Sequence, residues 1–353
     1  MRVIVLGGTR FIGRAVVDEL LHAGHDVLIV HRGEHDPIGL DDVEHLHVHR
    51  RDLAGRTREL GRFRPDGVID MSAMTRTDAS VALAALAEGP RLVAVSSIDV
   101  YRACASVWAG TVTDAVPLTE DSPLRDGPPP DRTHVMEGYD YAASEYENLD
   151  VEAAYLARQA TVCRLPMVYG PHDYIHRERF VLRRIRARRA RLPVGAGGFL
   201  WSRGYAPELA RGIRLALEQP AASGEVFNLC EAQCAPLRLW IEQIAAAAGA
   251  DLELVRVPDH ALPDDLEITG DIAQHWLTTA AKAADILRWI HRDPAACVRE
   301  SVEWHMEHSS YAGDDFAADD RALAAASTPV ARQDASRFAS DDKGQRGDGR
   351  DTP

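Results

Sequence analysis

The amino-terminal half of this chain predicts a doubly wound α/β domain built on a parallel sheet. Three observations carry that reading. Short apolar runs alternate with amphipathic stretches across residues 1–165, the first run breaks on glycines straight into a helical pattern, and no long apolar segment interrupts the series. With 353 residues, 46% of them hydrophobic, the chain can bury a sizeable core in one large or two modest domains.

In order, the strand candidates are RVIVLG (2–7), DVLIVH (26–31), VEHLHVH (43–49), GVIDMS (67–72), RLVAVSS (91–97) and ATVCRL (160–165). Most are short and rich in β-branched residues, as strands covered on both faces require. FIGRAVVDELLHAG carries apolar residues at helical spacing and is closed by Gly24. TDASVALAALAEG is a second helix, opened by Thr77 or Asp78 and stopped by Gly89-Pro90. Strands alternating with helices imply right-handed crossovers. Residues 104–138 break the rhythm with VPLTEDSPLRDGPPPDR and read as a long loop near the site.

After residue 166 the expected helices are 177–191, 206–218, 237–248 and 294–308, with short strands near 225–229 and 253–257. The predicted organisation is a sheet domain over 1–165, a smaller lobe over 166–308 that returns residues 206–230 to the sheet, and a disordered tail over 309–353. The tail is rich in Asp, Ala, Ser, Gly and Arg and offers little apolar surface to offset its ordering entropy.

A net charge of −14 opposes attraction to nucleic acid or anionic membranes, and no run approaches the length of a bilayer span. The start of the chain reads directly as a strand rather than a leader. Five scattered cysteines suit a reducing, cytoplasmic compartment. Only two lysines occur, Lys282 and Lys343, so nearly all positive charge is arginine. Arginine stays protonated, whereas lysine is the cation whose pKa is readily tuned for catalysis.

VIVLGGTRFIGRAV is a strand, a glycine turn and a helix in succession, the Rossmann-type arrangement that offers free N–H groups and a helix dipole to a pyrophosphate. Gly7, Gly8, Thr9, Arg10, Phe11, Ile12 and Gly13 are the candidate cofactor contacts there. Arg10 stands at the usual middle glycine, and Arg32 follows the second strand where an NAD-selecting protein carries an acid. Two arginines near the ribose suit a 2′-phosphate and point to NADP(H) over NAD(H). Asp52 and Leu53 after the third strand are candidates to meet the adenine, and Ser72, ending the fourth, joins them.

These residues resemble the extended short-chain dehydrogenase/reductase superfamily, in its NAD-dependent epimerase/dehydratase branch. The resemblance rests on GGTRFIG, on VSSIDVYRA after the fifth strand and on RLPMVYGPHD after the sixth, and it covers roughly residues 1–308. It implies that Ser97 bonds the reacting oxygen, that Asp99 is a carboxylate base, that Pro166 and Met167 flank the nicotinamide, and that Tyr169, Gly170 and Pro171 line the hinge into the second lobe.

The family also implies a Tyr and a Lys one helical turn apart before the sixth strand. Here that stretch, GYDYAASEYENLDVEAAY, has no lysine. One register pairs Tyr141 with Glu145; the other puts Ser144 and Asn148 at the dyad positions. Without the cation a tyrosine stays near its reference pKa of about 10. Glu145 or Asp99 then becomes the candidate base, and helix-start packing accounts for some of Tyr139, Tyr141 and Tyr146.

The leading reading is an NAD(P)-dependent oxidoreductase of epimerase/dehydratase type, acting on a hydroxyl or carbonyl of a nucleotide sugar or small metabolite. A non-redox isomerase, dehydratase or cyclase on the same fold, and an inactive dinucleotide-binding regulator, stay open beside it. Arg179 and Arg184, from the arginine-rich stretch 177–191, are the candidate contacts to a substrate phosphate. His45, His47 and His49 alternate along one strand and read as a polar face, so no metal is expected. The 294–308 helix is the candidate face for a homodimer.

Overall fold

The computed structural model describes residues 1–34, 39–127, 145–310 and 315–326. The chain opens with β1 (Arg2–Leu6), α1 (Phe11–His22), β2 (Asp26–His31) and β3 (Glu44–His47). A 3-10 turn over Arg50–Arg56 leads to α2 (Thr57–Phe63), β4 (Gly67–Asp70), α3 (Arg76–Ala85) and β5 (Arg91–Ser97). Then come α4 (Arg102–Trp108), α5 (Asn148–Leu156), β6 (Thr161–Leu165), β7 (Met167–Tyr169), α6 (Arg179–Arg186), β8 (Arg191–Val194), β9 (Arg203–Tyr205) and α7 (Ala206–Glu218). The remainder is β10 (Val226–Asn228), α8 (Leu237–Ala247), β11 (Glu253–Arg256), α9 (Ala281–Ile286), α10 (Pro294–His308) and α11 (Ala317–Ala326).

Seven parallel strands form one sheet in the order β10-β6-β5-β4-β1-β2-β3. The order reverses at β1, which pairs β2 on one side and β4 on the other, so the sheet's switch point lies where Leu6 faces Val30 and Asp70. One face is covered by α1 and α7, through Val16, Val17 and Leu20 against a layer holding Leu209, Ile213 and Leu217. The other is covered by α2, α3 and α5, with Leu60, Phe63, Ala79, Ala82, Val151 and Tyr155 buried. Residues buried on both faces explain the near-continuous apolar strands.

The helix α3 starts one turn earlier than the sequence suggests. Thr75, not Thr77 or Asp78, is its cap: Thr75 Oγ1 accepts from Asp78 N at 3.0 Å while Asp78 Oδ2 accepts from Thr75 N at 3.1 Å. The reciprocal pair makes Asp78 the third helical residue rather than the opener. Within 104–138 the chain is not loop alone, because α4 occupies its beginning.

The second lobe packs α6, α8 and α10 around Val181, Leu182, Trp240, Ile241, Ile244, Val298 and Val302. Two short parallel pairs, β7 with β9 and β8 with β11, complete it. Within the segment read as tail, α11 forms and buries Asp319 against Arg184 at 2.7 Å. Among the described residues no helix is long and apolar enough to cross a membrane.

The segment 170–178 joins sheet and lobe. Asp173 accepts from the Ile175 and Arg177 amides at 2.9 and 2.8 Å, which curls the segment and turns Tyr174, Ile175 and Arg177 toward the cleft described below. Both of its ends are seated on α10: Ser301 Oγ donates to Glu178 Oε2 at 2.6 Å, and His305 Nε2 meets the Gly170 carbonyl at 3.1 Å. Burial pushes the Glu178 carboxyl up to about 8, against the Ser301 hydrogen bond. Burial drives His305 down to about 4, with His176, His172 and His308 adding to it and the Gly170 carbonyl opposing.

Both groups are thus neutral in the folded state near neutrality, and their signs differ. Glu178 contributes stability at low pH that is lost as pH rises toward 8; His305 contributes stability above its unfolded value that is lost as pH falls toward 4. Between about 6.5 and 8 only the Glu178 effect operates. Thermal denaturation should therefore show a falling Tm across that window for the native chain and a flatter profile for Glu178→Gln.

Candidate cofactor cleft and active site

A cleft of about 390 Å³ runs along the carboxyl ends of β1, β2, β4, β5 and β6. Its floor is the glycine turn. Gly7 has φ +90°, and a Cβ there would meet Ser72 Oγ at 2.8 Å. A Cβ on Gly13 would lie 2.3 Å from the Gly7 carbonyl oxygen, so the first turn of α1 can approach β1 only with glycine at both places. Gly8 serves packing instead: its Cβ would come within 2.7 Å of Val17. Thr9, Arg10, Phe11, Ile12 and Gly13 line the cleft with Gly7, and α1 directs its unbonded amides there.

Tyr174, from the second lobe, closes over this turn. The Arg10 guanidinium lies 4.2 Å from its ring centre, and Phe11 meets it edge-on at 6.2 Å. At the end of β2, Arg32 lines the cleft together with Glu34, to which it is paired at 2.9 Å. Leu53 lines the cleft, whereas Asp52 is exposed in the 3-10 turn and outside the lining. Ser72 is present, held by Arg50 at 2.7 Å. Arg50 is a cleft residue the sequence reading missed. It grips Asp70 with two nitrogens at 2.9 and 2.5 Å, and Tyr155 also donates to Asp70. Burial alone would raise Asp70, but the Arg50 charge and these hydrogen bonds hold it below the usual carboxylate range.

At the opposite end, Ser97, Pro166, Tyr146 and Asn148 line the cleft. Ser97 Oγ accepts from the Asp99 amide at 3.3 Å, capping the turn that follows β5. Tyr146 is buried and donates to Asp99 Oδ2 at 2.8 Å, while Asn148 Nδ2 donates to the same phenol oxygen at 2.6 Å. Asn148 Oδ1 is buried and has no hydrogen-bond partner among the described residues. Asp99 is therefore behind Tyr146 and not itself in the lining.

Several expected contacts lie elsewhere. Glu145 is exposed and outside the lining; Tyr141 and Ser144 fall outside the described residues. Met167 turns into the second-lobe core, because β7 alternates and sends Pro166 and Val168 to the cleft. Arg179 is exposed and away from it. Arg184 is not a substrate contact: it is fully enclosed, bonded to Asp319 at 2.7 Å and to Asp265 at 2.8 and 3.0 Å. Arg177, from the same stretch, does reach the cleft. The histidines also divide. His49 lines the cleft, while His45 and His47 gather with His31 of β2.

The tyrosines and the arginine of the two later motifs are tie points. Arg164 pairs with Glu152 at 2.7 Å and meets Tyr101 Oη at 3.0 Å; Tyr101 donates to Asn228 at 2.7 Å; Tyr169 donates to Glu231 at 2.7 Å. They bind β5, β6, β10 and the second lobe together beside the cleft.

Residues 3–230 match the NAD dependent epimerase/dehydratase family. The chain belongs to this family. Its members are NAD-dependent enzymes. Among curated proteins, the chain is 26% identical over 278 residues to 2′-dehydrokanamycin reductase of Streptomyces kanamyceticus, covering 78% of this chain and 74% of the relative. It is 24% identical over 311 residues to the chloroplast stem-loop binding protein of 41 kDa b of Arabidopsis thaliana, covering 82% and 74%. In fold it is similar to dTDP-glucose 4,6-dehydratase from Bacillus anthracis, with TM-score 0.66, 17% identity, and 87% and 97% of the two chains covered. UDP-glucose 4-epimerase from Thermus thermophilus gives TM-score 0.64, 21% identity, and 88% and 100% coverage.

The close approach at Gly13 yields a direct test. Gly13→Ala must push α1 away from the turn, so dinucleotide affinity measured by fluorescence titration should fall at least tenfold. Gly24→Ala, where a Cβ meets nothing within 4 Å but φ is +79°, should lower Tm while leaving affinity unchanged.

Proposed function

We propose that this member of the family is an oxidoreductase that moves hydride between a nicotinamide dinucleotide and a hydroxyl or carbonyl carbon, with Tyr146 as the proton carrier. The single observation behind this is the buried Asp99–Tyr146–Asn148 chain opening on the cleft beside Ser97. A phenol oxygen that accepts from Asn148 and donates to Asp99 retains one lone pair for a substrate hydroxyl. In oxidation the substrate proton passes to Tyr146 as the Tyr146 proton passes to Asp99; reduction runs the same path backwards. Ser97 donates to the reacting oxygen. Asn148, at the family's lysine position in one register, offers Oδ1 to a ribose or substrate hydroxyl. The carboxylate replaces the ammonium as the group that makes the phenol a workable base. The bound dinucleotide supplies or receives the hydride.

For the cofactor, Arg10 and Arg32 favour NADP(H). Glu34 opposes this by neutralising Arg32, but a 2′-phosphate carrying about two charges competes well against one carboxylate. The relative named as a reductase supports carbonyl reduction, and a small polar ketone or a nucleotide sugar is the substrate class. The relative named for stem-loop binding favours a non-catalytic reading; the chain's charge of −14 argues against it here.

Tyr146→Phe should lower turnover on an active carbonyl or alcohol by roughly 10²–10⁴-fold with dinucleotide affinity retained, and Asp99→Asn should act in the same direction. Full activity of Tyr146→Phe would rule out this assignment. Arg32→Ala should weaken NADPH more than NADH, and Glu34→Gln should do the reverse, both read by titration.

A further inference from the structure

The geometry points to a divalent transition-metal site formed by His31, His45 and His47 at the edge of the sheet. β2 and β3 pair with His31 opposite His47, and one ligand nitrogen from each of the three rings lies within 4.8 Å of the other two. His31 is buried, His45 half-buried and His47 exposed, so the cluster has an inner wall and an open outer side. Three imidazoles with an open fourth position suit Zn²⁺, Co²⁺, Ni²⁺ or Cu²⁺ and not a hard cation.

One of the three rings is already oriented from behind as a ligand would be. His45 Nε2 faces the Leu40 carbonyl at 3.0 Å. A carbonyl only accepts, so in the neutral ring Nε2 carries the proton and Nδ1 presents its lone pair. Nδ1 is the atom that meets His31 Nε2, at 2.8 Å. On the other side of His31, the Gly33 amide donates to Nδ1 at 3.2 Å, which leaves the ring proton on Nε2 pointing at His45. A backbone carbonyl holding the outer N–H of a histidine, as Leu40 holds His45, is the usual support of a metal ligand; His31 rests in the opposite tautomer and must change it to ligate.

At metal–nitrogen distances of 2.0–2.1 Å, ligand nitrogens in a tetrahedral site stand roughly 3.3 Å apart. The His31–His45 contact must therefore open by about half an ångström, and His47, within 4.8 Å of the other two, must close by up to about 1.5 Å, motions within reach of ring rotation. The cation takes the place of the proton shared between the two rings. That proton moves to His31 Nδ1, and the Gly33 amide gives up its hydrogen bond. Gly33, at φ +82°, is a turn that can absorb this change. The site clips β3, an edge strand, to β2 and ends beside Arg32 and Glu34 at the cleft rim.

This inference stands apart from the proposed reaction and is tested without turnover. Full-length, tag-free protein, stripped with chelator, is titrated with Co²⁺ and then Zn²⁺. One equivalent of Co²⁺ should give saturable visible bands, Zn²⁺ should abolish them, and Zn²⁺ should raise Tm. His45→Gln and His47→Gln should each weaken affinity at least tenfold, while exposed His260→Gln should not. Dinucleotide titration confirms that the variants are folded. Absence of saturable colour, or colour and Tm shift undiminished in both cluster variants, would overturn the site.

Discussion

The closeness of α1 to the end of β1 is the constraint on which the rest depends. Gly13 lets the helix rest against the Gly7 carbonyl, and Gly7 in turn lets Ser72 of the neighbouring strand end approach the turn. Any side chain at either place would lift the helix and withdraw its amides from the switch point. The cleft is deep because these three segments touch. Tyr174 can cover the turn only because Asp173 curls the connecting segment and α10 anchors both of its ends, Ser301 at Glu178 and His305 at Gly170.

The chain's near-absence of lysine shapes how charge is used around this frame. Arginines are buried in forked contacts with carboxylates: Arg50 on Asp70, Arg164 on Glu152, Arg184 on Asp265 and Asp319. A planar, permanently charged group fits such pairs and holds elements together. Removing one partner would strand a buried charge, which makes these ties costly to break. Lys282, the lysine among the described residues, pairs with Glu225 on the surface at 2.8 Å and is not in the cleft lining. Among the described residues, the cleft lining therefore offers no ammonium group for the proposed proton transfer.

Much of the frame was legible in the sequence, and the reasons are local. The six sheet strands of the first 165 residues, and the helices over 206–218 and 294–308, follow from apolar periodicity bounded by Gly, Pro and capping residues. So does the glycine turn. What depends on side-chain direction was not legible. Arg184 and Arg177 sit in one arginine-rich run, yet α6 sends the first inward to Asp319, while the second precedes that helix, in the segment curled by Asp173, and faces the cleft. Tyr146 looked like helix-start packing, and only the tertiary meeting of the segment before α5 with the turn after β5 gives it Asp99. Glu34 could have been found, as an acid two residues after Arg32. His31 was invisible as a partner of His45 and His47 because strand pairing, not spacing, brings them together.

The central claim is that the dinucleotide lies on the glycine turn with its nicotinamide beside Tyr146. A crystal structure of the chain with NADPH tests it most directly. The account predicts the pyrophosphate against the Gly7–Gly13 amides, and the nicotinamide next to Ser97 and Tyr146 with space for a substrate oxygen within hydrogen-bond reach of both. A nicotinamide directed away from Tyr146, or a turn that takes no dinucleotide at saturating concentration, would contradict it.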